Sequence, residues 1–237
     1  MQPSSPVQWR AKGPYTPNNA SKTGLLGETR LYLQTYAQFG STIAAHDKLV
    51  SGALPQRSRA TRQGIVEVIE RRLIRWEPPK WVLDDLATFA AAPGPEQLAS
   101  ALLLHSVRQD TLLYDLIQRQ IVPAWRSGER DIARTDVQRF LDEALSAHAE
   151  IDVWSTSTRT KLAGNVLSIL RDYGLLTGKL HKQIVEPAVP ADVVRHLVRL
   201  LKAEGLTMPE IHNHADWRIF LWDAERVQHE IERNNLA

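Results

Sequence analysis

The residues best suited to hold a reactive centre are His212, His214 and Asp216, two imidazoles and a carboxylate within five positions. Such a set can bind a transition metal when its members converge. This spacing falls in a loop ahead of a helix capped by Asp216, and nothing elsewhere in the chain completes it, so the three read as ordinary surface residues. No GxxxxGK[ST] or GxGxxG run is present to cradle a phosphate, and no GxSxG elbow to raise a serine. Carboxylates are scattered, with no pairing suited to two-metal chemistry. The 237 residues include no cysteine, which removes disulfides, thiolate zinc sites and a cysteine nucleophile. The sequence makes no case for catalysis and calls for no cofactor.

What remains is charge without catalysis. The formal net charge is only +2, yet residues 52–75 hold six arginines against Glu67 and Glu70. Residues 154–182 hold Arg159, Lys161, Arg171, Lys179 and Lys182 against Asp172 alone. Outside these two stretches acidic residues are in excess. Basic charge gathered in two places is what a polyanion-binding surface requires.

Both stretches read as helices that would present those cations. Ser155 or Thr156 caps the second, because a short hydroxyl accepts from the unpaired amides of a first helical turn. Leu162, Val166, Leu170 and Tyr173 form one apolar stripe behind it, and Gly174 supplies the left-handed residue that ends it. The first stretch can be laid over the second: cap serine Ser58 on Ser155, Thr61-Arg62 on Thr158-Arg159, apolar residues at helical spacing, and Trp76 on Tyr173. Two copies of one helix-led unit are expected, each with the polar, basic start of a recognition helix.

The basic residues do not share one role. Ile65, Ile69 and Leu73 define the inward side of the first helix. Arg62 and Arg72 project at the margins of that side, as structural residues would, and a carboxylate such as Glu28 is the expected partner. Arg57, Arg59, Arg71 and Arg75 point away or stand at the helix start. In the second helix Arg159 leans inward, whereas Lys161 and Arg171 face out. Arg62 and Arg159 remain open between scaffold and contact. The expected DNA-contacting set is Arg57, Ser58, Arg59, Arg71, Arg75, Thr156, Ser157, Thr158, Lys161, Arg171, Lys179 and Lys182.

The elements around these helices follow in order. Residues 1–23, rich in Pro, Ser and Asn, read as an extended or disordered arm. Residues 24–79 carry three short helices, from Leu25 to Gly40, from a Ser41 cap to Gly52, and from Ser58 on, and form a helix-turn-helix-like module. Pro78-Pro79 ends it, with Trp76 and Trp81 read as packing the hinge. Residues 80–130 supply a central apolar pair of helices without concentrated charge, closed by a break at Pro123. Residues 131–237 form a winged-helix-like module with closing helices. There Leu175 to Val185, two short apolar runs around Gly178, predict a small β wing with Lys179 and Lys182 at its tip. A final helix is expected over Asp216–Glu232. The fold class is mainly α, a compact multi-helix fold with two helix-turn-helix-like modules. The chain lacks an apolar run long enough to cross a bilayer, and its first residues do not resemble a signal peptide.

The stretches Ser51-Gly-Ala-Leu-Pro-Gln-Arg-Ser-Arg-Ala-Thr-Arg-Gln-Gly-Ile-Val-Glu-Val-Ile-Glu-Arg-Arg-Leu73 and Trp154-Ser-Thr-Ser-Thr-Arg-Thr-Lys-Leu-Ala-Gly-Asn-Val-Leu-Ser-Ile-Leu-Arg-Asp-Tyr-Gly-Leu-Leu176 together resemble the BrxA family of bacteriophage-exclusion (BREX) defence proteins. The likeness runs from about Gly24 to about Val227, with the arm outside it. It implies a small, cytoplasmic, mostly helical protein that binds double-stranded DNA without catalysing a reaction. It also implies partners: a DNA methyltransferase and other BREX components, among them ATPase and phosphatase-like subunits. A second reading is a helical interaction scaffold, similar in outline to a NusB-like bundle, whose basic faces meet proteins or RNA.

Overall fold

The serines that begin the two key helices cap them. Ser58 Oγ accepts from the Thr61 amide, and Ser155 Oγ from the Thr158 amide, each at 3.1 Å. The computed structural model describes residues 9–236. Three helices open the fold: α1 (Leu26–Phe39), α2 (Thr42–Lys48) and α3 (Arg59–Leu73). Gly40 ends α1 at φ 65°, a conformation that costs glycine no Cβ clash. Ser41 caps α2, which runs on through a wide turn at Leu49–Ala53.

A middle layer follows: α4 (Lys80–Ala91), α5 (Glu96–Arg108), α6 (Thr111–Leu116) and α7 (Val122–Ser127). Helix α5 is apolar on nearly every side and is buried accordingly, with Leu98, Leu102, Leu103, Leu104 and Val107 closed to solvent. It touches α1, α3, α4, α6 and the next layer's α10 (Ala191–Ala203), and so forms the centre of a single core.

Pro123 does not break the chain as its type suggested. Ile117–Ile121 form a wide π turn in which the Val122 amide reaches back to the Ile117 carbonyl. The proline ring then enters in the first turn of α7, where its missing N–H costs least.

The C-terminal layer runs β1 (Asp131–Ile132), α8 (Arg134–Ala144), α9 (Thr156–Asp172), β2 (Leu176–Thr177) and β3 (Lys182–Ile184). The strands form one antiparallel sheet in the order β1-β3-β2, with Ile132 opposite Lys182 and Thr177 opposite Gln183. Gly174, at φ 85°, turns the chain from α9 into β2, so the hairpin read from the sequence is present and gains a third strand. Next come α10, α11 (Met208–His212) and α12 (Ala224–Arg233). The single helix expected over Asp216–Glu232 is instead two pieces. A 3₁₀ turn at Ala215–Phe220 stops at Leu221, which adopts φ 64°, and Asp223 caps α12 afresh. Trp217, Phe220 and Leu221 are buried all the same, so the apolar pattern holds while the backbone changes course.

From Trp9 onward the N-terminal arm is packed, extended apart from a 3₁₀ turn at Pro17–Ala20; Met1–Gln8 lie outside the described residues. Tyr15 is buried, stacks on His148 and donates to Asp115. Asn165 of α9 donates to the Ala20 carbonyl, and Arg71 of α3 to the Asn18 carbonyl. The arm therefore forms a seam between α3 and α9. At its end Gly24 comes so close to α9 that a Cβ there would lie 2.6 Å from Asp172 Cβ.

Candidate nucleic-acid interface

The repeat seen in the sequence is a repeat of geometry. In each copy the cap serine also meets the threonine hydroxyl three residues on, Ser58 with Thr61 at 2.7 Å and Ser155 with Thr158 at 2.9 Å. The next residue is the matched arginine, and it holds the loop leading into the helix. Arg62 donates from Nε to the Val50 carbonyl (2.8 Å) and from Nη1 to the carbonyls of Gln56 (2.7 Å) and Arg57 (2.9 Å). Arg159 donates from Nη2 to the Ile151 carbonyl (2.9 Å). Both arginines thus brace the turns from which α3 and α9 start. Glu28 is not the partner of Arg62; it accepts from Gln56 Nε2 at 3.1 Å. Arg62 is satisfied by main-chain carbonyls, which carry no sequence signature. Arg72 is buried, with donors on the carbonyls of Thr23 and Gly24, Asn19 Oδ1 and the Tyr173 hydroxyl.

With the bracing arginines turned inward, the expected contact residues lie on the outside. Arg57, Ser58, Arg59, Arg75, Thr156, Ser157, Lys161 and Lys179 are exposed, and Arg71, Thr158, Arg171 and Lys182 half-buried. Three of the twelve have their charged group engaged within the protein. Arg171 pairs with Asp172 at 2.7 Å. Arg71 reaches the arm, and burial together with Arg72 and Arg75 lowers its pKa. Lys182 Nζ donates to the Lys179 carbonyl at 3.0 Å, across the turn of the wing.

The two copies differ in electrostatics. The groove beside the start of α3 is lined by His46, Asp47, Arg59, Arg62 and Gln63. The matching groove beside α9 is lined by Gln138, Asp142, Asp152, Ser155, Thr156, Arg159 and Thr160. Arg159 lies 3.6 Å from Asp142 and 3.7 Å from Asp152. The first groove therefore holds an excess of cations and the second an excess of carboxylates. Asp142 was unremarkable in sequence because it joins Arg159 only when α8 packs on α9, whereas Asp152 stands in the turn just ahead of α9.

Two buried polar clusters also escaped the sequence reading, since each joins residues far apart in the chain. In the helical pair read as free of concentrated charge, Arg108 is fully buried and pairs with Glu204 and Asp216. The arm completes this cluster: Arg10 pairs with Asp216 at 3.1 Å, and the Trp9 amide donates to Glu204 at 2.8 Å. Burial raises the Glu204 pKa against the pull of Arg108. Asp216 is thus an ion-pair partner in the core, and the caps of the last helices come from other residues. In the second cluster His105 Nε2 lies 2.8 Å from His196 Nε2, and His196 Nδ1 lies 2.9 Å from Asp85. Trp76 stacks on His105 and Trp81 tilts against His196, so both tryptophans pack the hinge around Pro78 and Pro79. Among the described residues no group of three or more His, Asp or Glu side chains is placed to hold a metal ion.

Fold and site together define a mainly helical protein that carries one capped and arginine-braced helix start twice, the second followed by a small antiparallel sheet. The family model for BrxA matches residues 14–200, and the chain belongs to the BrxA family. Membership makes it a BREX phage-defence protein. The matched region begins within the arm, ten residues before the likeness read from the sequence. A relative described as "BREX protein BrxA", from Paramagnetospirillum magneticum (strain ATCC 700264 / AMB-1), is 24% identical over 149 residues, 62% of this chain and 71% of that protein. A solved structure described as "Crystal structure of an uncharacterized protein from Magnetospirillum magneticum" is 18% identical, with a TM-score of 0.67. It covers 89% of this chain and all of the other, a likeness of fold. No helix among the described residues is long and apolar enough to cross a membrane.

Proposed function

We propose that the chain is a non-catalytic, double-stranded-DNA-binding component of a BREX phage-defence system, at work in the cytoplasm beside a DNA methyltransferase and the ATPase and phosphatase-like subunits. One observation carries this reading. The starts of α3 and α9 have the same serine cap and the same half-buried arginine brace, and both present exposed polar or cationic side chains. A helix start combines free amides with a positive dipole end, and cations beside it add attraction to a phosphate.

Connectivity supports the same reading. The order α7-β1-α8-α9-β2-β3, with the sheet arranged β1-β3-β2, is that of a winged helix in which α9 would be the recognition helix. We assign residues 24–79 and 131–237 as the duplex-binding units and residues 80–130 as the core that joins them, whose last helix, α7, also serves as the first helix of the winged arrangement. Phosphate contacts fall to Arg57, Arg59, Arg75, Lys161, Lys179 and Lys182. The hydroxyls of Ser58, Thr156, Ser157 and Thr158 lie at the helix starts. Arg71 and Arg171, engaged with the arm and with Asp172, contribute less. The cation excess beside α3 makes the first unit the stronger holder of backbone, and the carboxylates around Arg159 make the second more selective in how a duplex may approach.

Fluorescence anisotropy with a random duplex tests the proposal. Binding should be present at low salt and weaken steeply toward moderate salt, since each neutralised phosphate releases counterions. A scaffold for proteins would show no saturable duplex binding at low salt, and one for RNA would prefer a single strand or hairpin.

A further inference from the structure

The most exposed large apolar side chain among the described residues is Leu180, with 93% of its surface open. It stands at the tip of the β2–β3 hairpin in the run Lys179-Leu180-His181-Lys182. We propose that this tip enters the minor groove of the bound duplex, with Leu180 as an apolar wedge against the base edges and Lys179 and Lys182 on the flanking phosphates. The proposal rests on the DNA-binding reading above and adds to it a groove, a residue and a mode of contact.

The tip is rigid. Gly178 turns at φ 81°, and a Cβ there would lie 1.9 Å from the His181 carbonyl oxygen, so only glycine makes the turn. The Lys182 ammonium bonds the Lys179 carbonyl across it. Below the tip Thr177 pairs with Gln183, Ile184 is buried, and the Ile184 amide donates to the Arg130 carbonyl at 2.7 Å. The Val185 amide donates to the Leu175 carbonyl, which ties the wing to the end of α9. Leu180 therefore projects from a wing that is bonded at its base to the end of α9.

Its chemistry suits one partner. A leucine between cations fits a surface with anionic rims and an apolar interior. A minor groove has phosphates on both edges and admits leucine wedges between base steps. An anionic membrane also combines charge with an apolar interior, but stable attachment needs a broader apolar face or a larger cluster of basic residues than this tip offers. The hollow on the β1 side of the wing is lined by Glu129, Asp131 and Asp136 as well as Leu180 and Lys182. A polyanion would meet the tip and avoid that flank.

The test uses the full chain, anisotropy against an A·T-rich duplex labelled for end-to-end energy transfer, and the variants Leu180→Ala, Leu180→Gln and Lys179→Ala/Lys182→Ala. Leu180→Ala and Leu180→Gln should each weaken binding about tenfold, leave the salt slope unchanged and reduce the bend. The double lysine variant should lower the salt slope by about 2. Netropsin, which fills the minor groove, should reduce wild-type affinity and leave Leu180→Ala little affected. Melting temperatures should match the wild type, because the side chain is exposed. If the wild type binds and Leu180→Ala binds equally well, or netropsin weakens both alike, the wedge is refuted and the α3–α9 reading stands. A wild type that binds no duplex refutes both. Leu180-dependent binding to phosphatidylserine vesicles, with none to duplex, refutes the choice of partner.

Discussion

The Arg72 guanidinium of α3 lies 3.1 Å from the Tyr173 hydroxyl at the end of α9, and both donate to the Gly24 carbonyl. This joint locks the ends of the two repeated helices to each other through the arm. The nearby Asp110 is half-buried, takes a hydrogen bond from Asn19 and has a raised pKa because desolvation disfavours its charge, against the pull of Arg72 and Arg71.

Cutting the joint should cost stability. Tyr173→Phe removes one hydroxyl while Arg72 still satisfies Gly24, and should lower the unfolding free energy by about 1 kcal/mol. Arg72→Met strands Asn19, Thr23 and the tyrosine together and should cost about 3 kcal/mol. Urea denaturation checks both; equal losses would mean that the hydroxyl and the guanidinium do not form one joint.

The bracing arginines should behave as structure. Arg62→Ala and Arg159→Ala each release carbonyls of the turn ahead of the helix and should destabilise by roughly 1–2 kcal/mol. Thermal melts would show the loss, and hydrogen exchange would rise first in residues 50–58 and 151–155. Unchanged melts would return both residues to the contact surface.

Arg108 faces two buried carboxylates, Glu204 and Asp216. Replacing it by leucine leaves them without their central cation and should cost about 3–5 kcal/mol. Arg10→Ala removes the half-exposed partner and should cost clearly less. Comparable urea midpoints for the two variants would contradict this order.

Acid should weaken the fold through His105. Full burial, aided by His196 and Arg108, holds its pKa well below 6.5. Unfolded, it protonates near 6.5. The unfolded chain therefore binds the extra proton, and stability that is complete above pH 6.5 is lost as pH falls below it. Burial shifts His214 the same way, whereas the raised Asp110 and Glu204 act with the opposite sign. The clean readout is a difference: between pH 7.5 and 5.5 the wild type should lose more melting temperature than His105→Gln. Parallel curves would contradict it.

The parts legible in the sequence were those written locally. A serine three residues before its amide, glycine at the turn from α9, and two short apolar runs around Gly178 each specify their own geometry. The parts that were hidden depend on distant segments. Arg62 bonds carbonyls that any residue could supply, and Asp142 reaches Arg159 only across the packing of α8 on α9. The Arg108 cluster was hidden because Glu204 and Asp216 lie almost a hundred residues or more away. At Leu221 the apolar period continued through a left-handed turn, so a pattern that records burial did not record the break.

The central claim, that the two helix starts and the wing hold a duplex, is tested most directly by one salt titration. Wild type and the fourfold variant Arg57→Ala/Arg59→Ala/Lys161→Ala/Lys182→Ala are compared on the same random duplex. The variant should keep the wild-type melting temperature to within a few degrees, bind far more weakly, and show a log–log salt slope shallower by about 3 to 4. Equal affinity and equal slope in a folded variant would contradict the account.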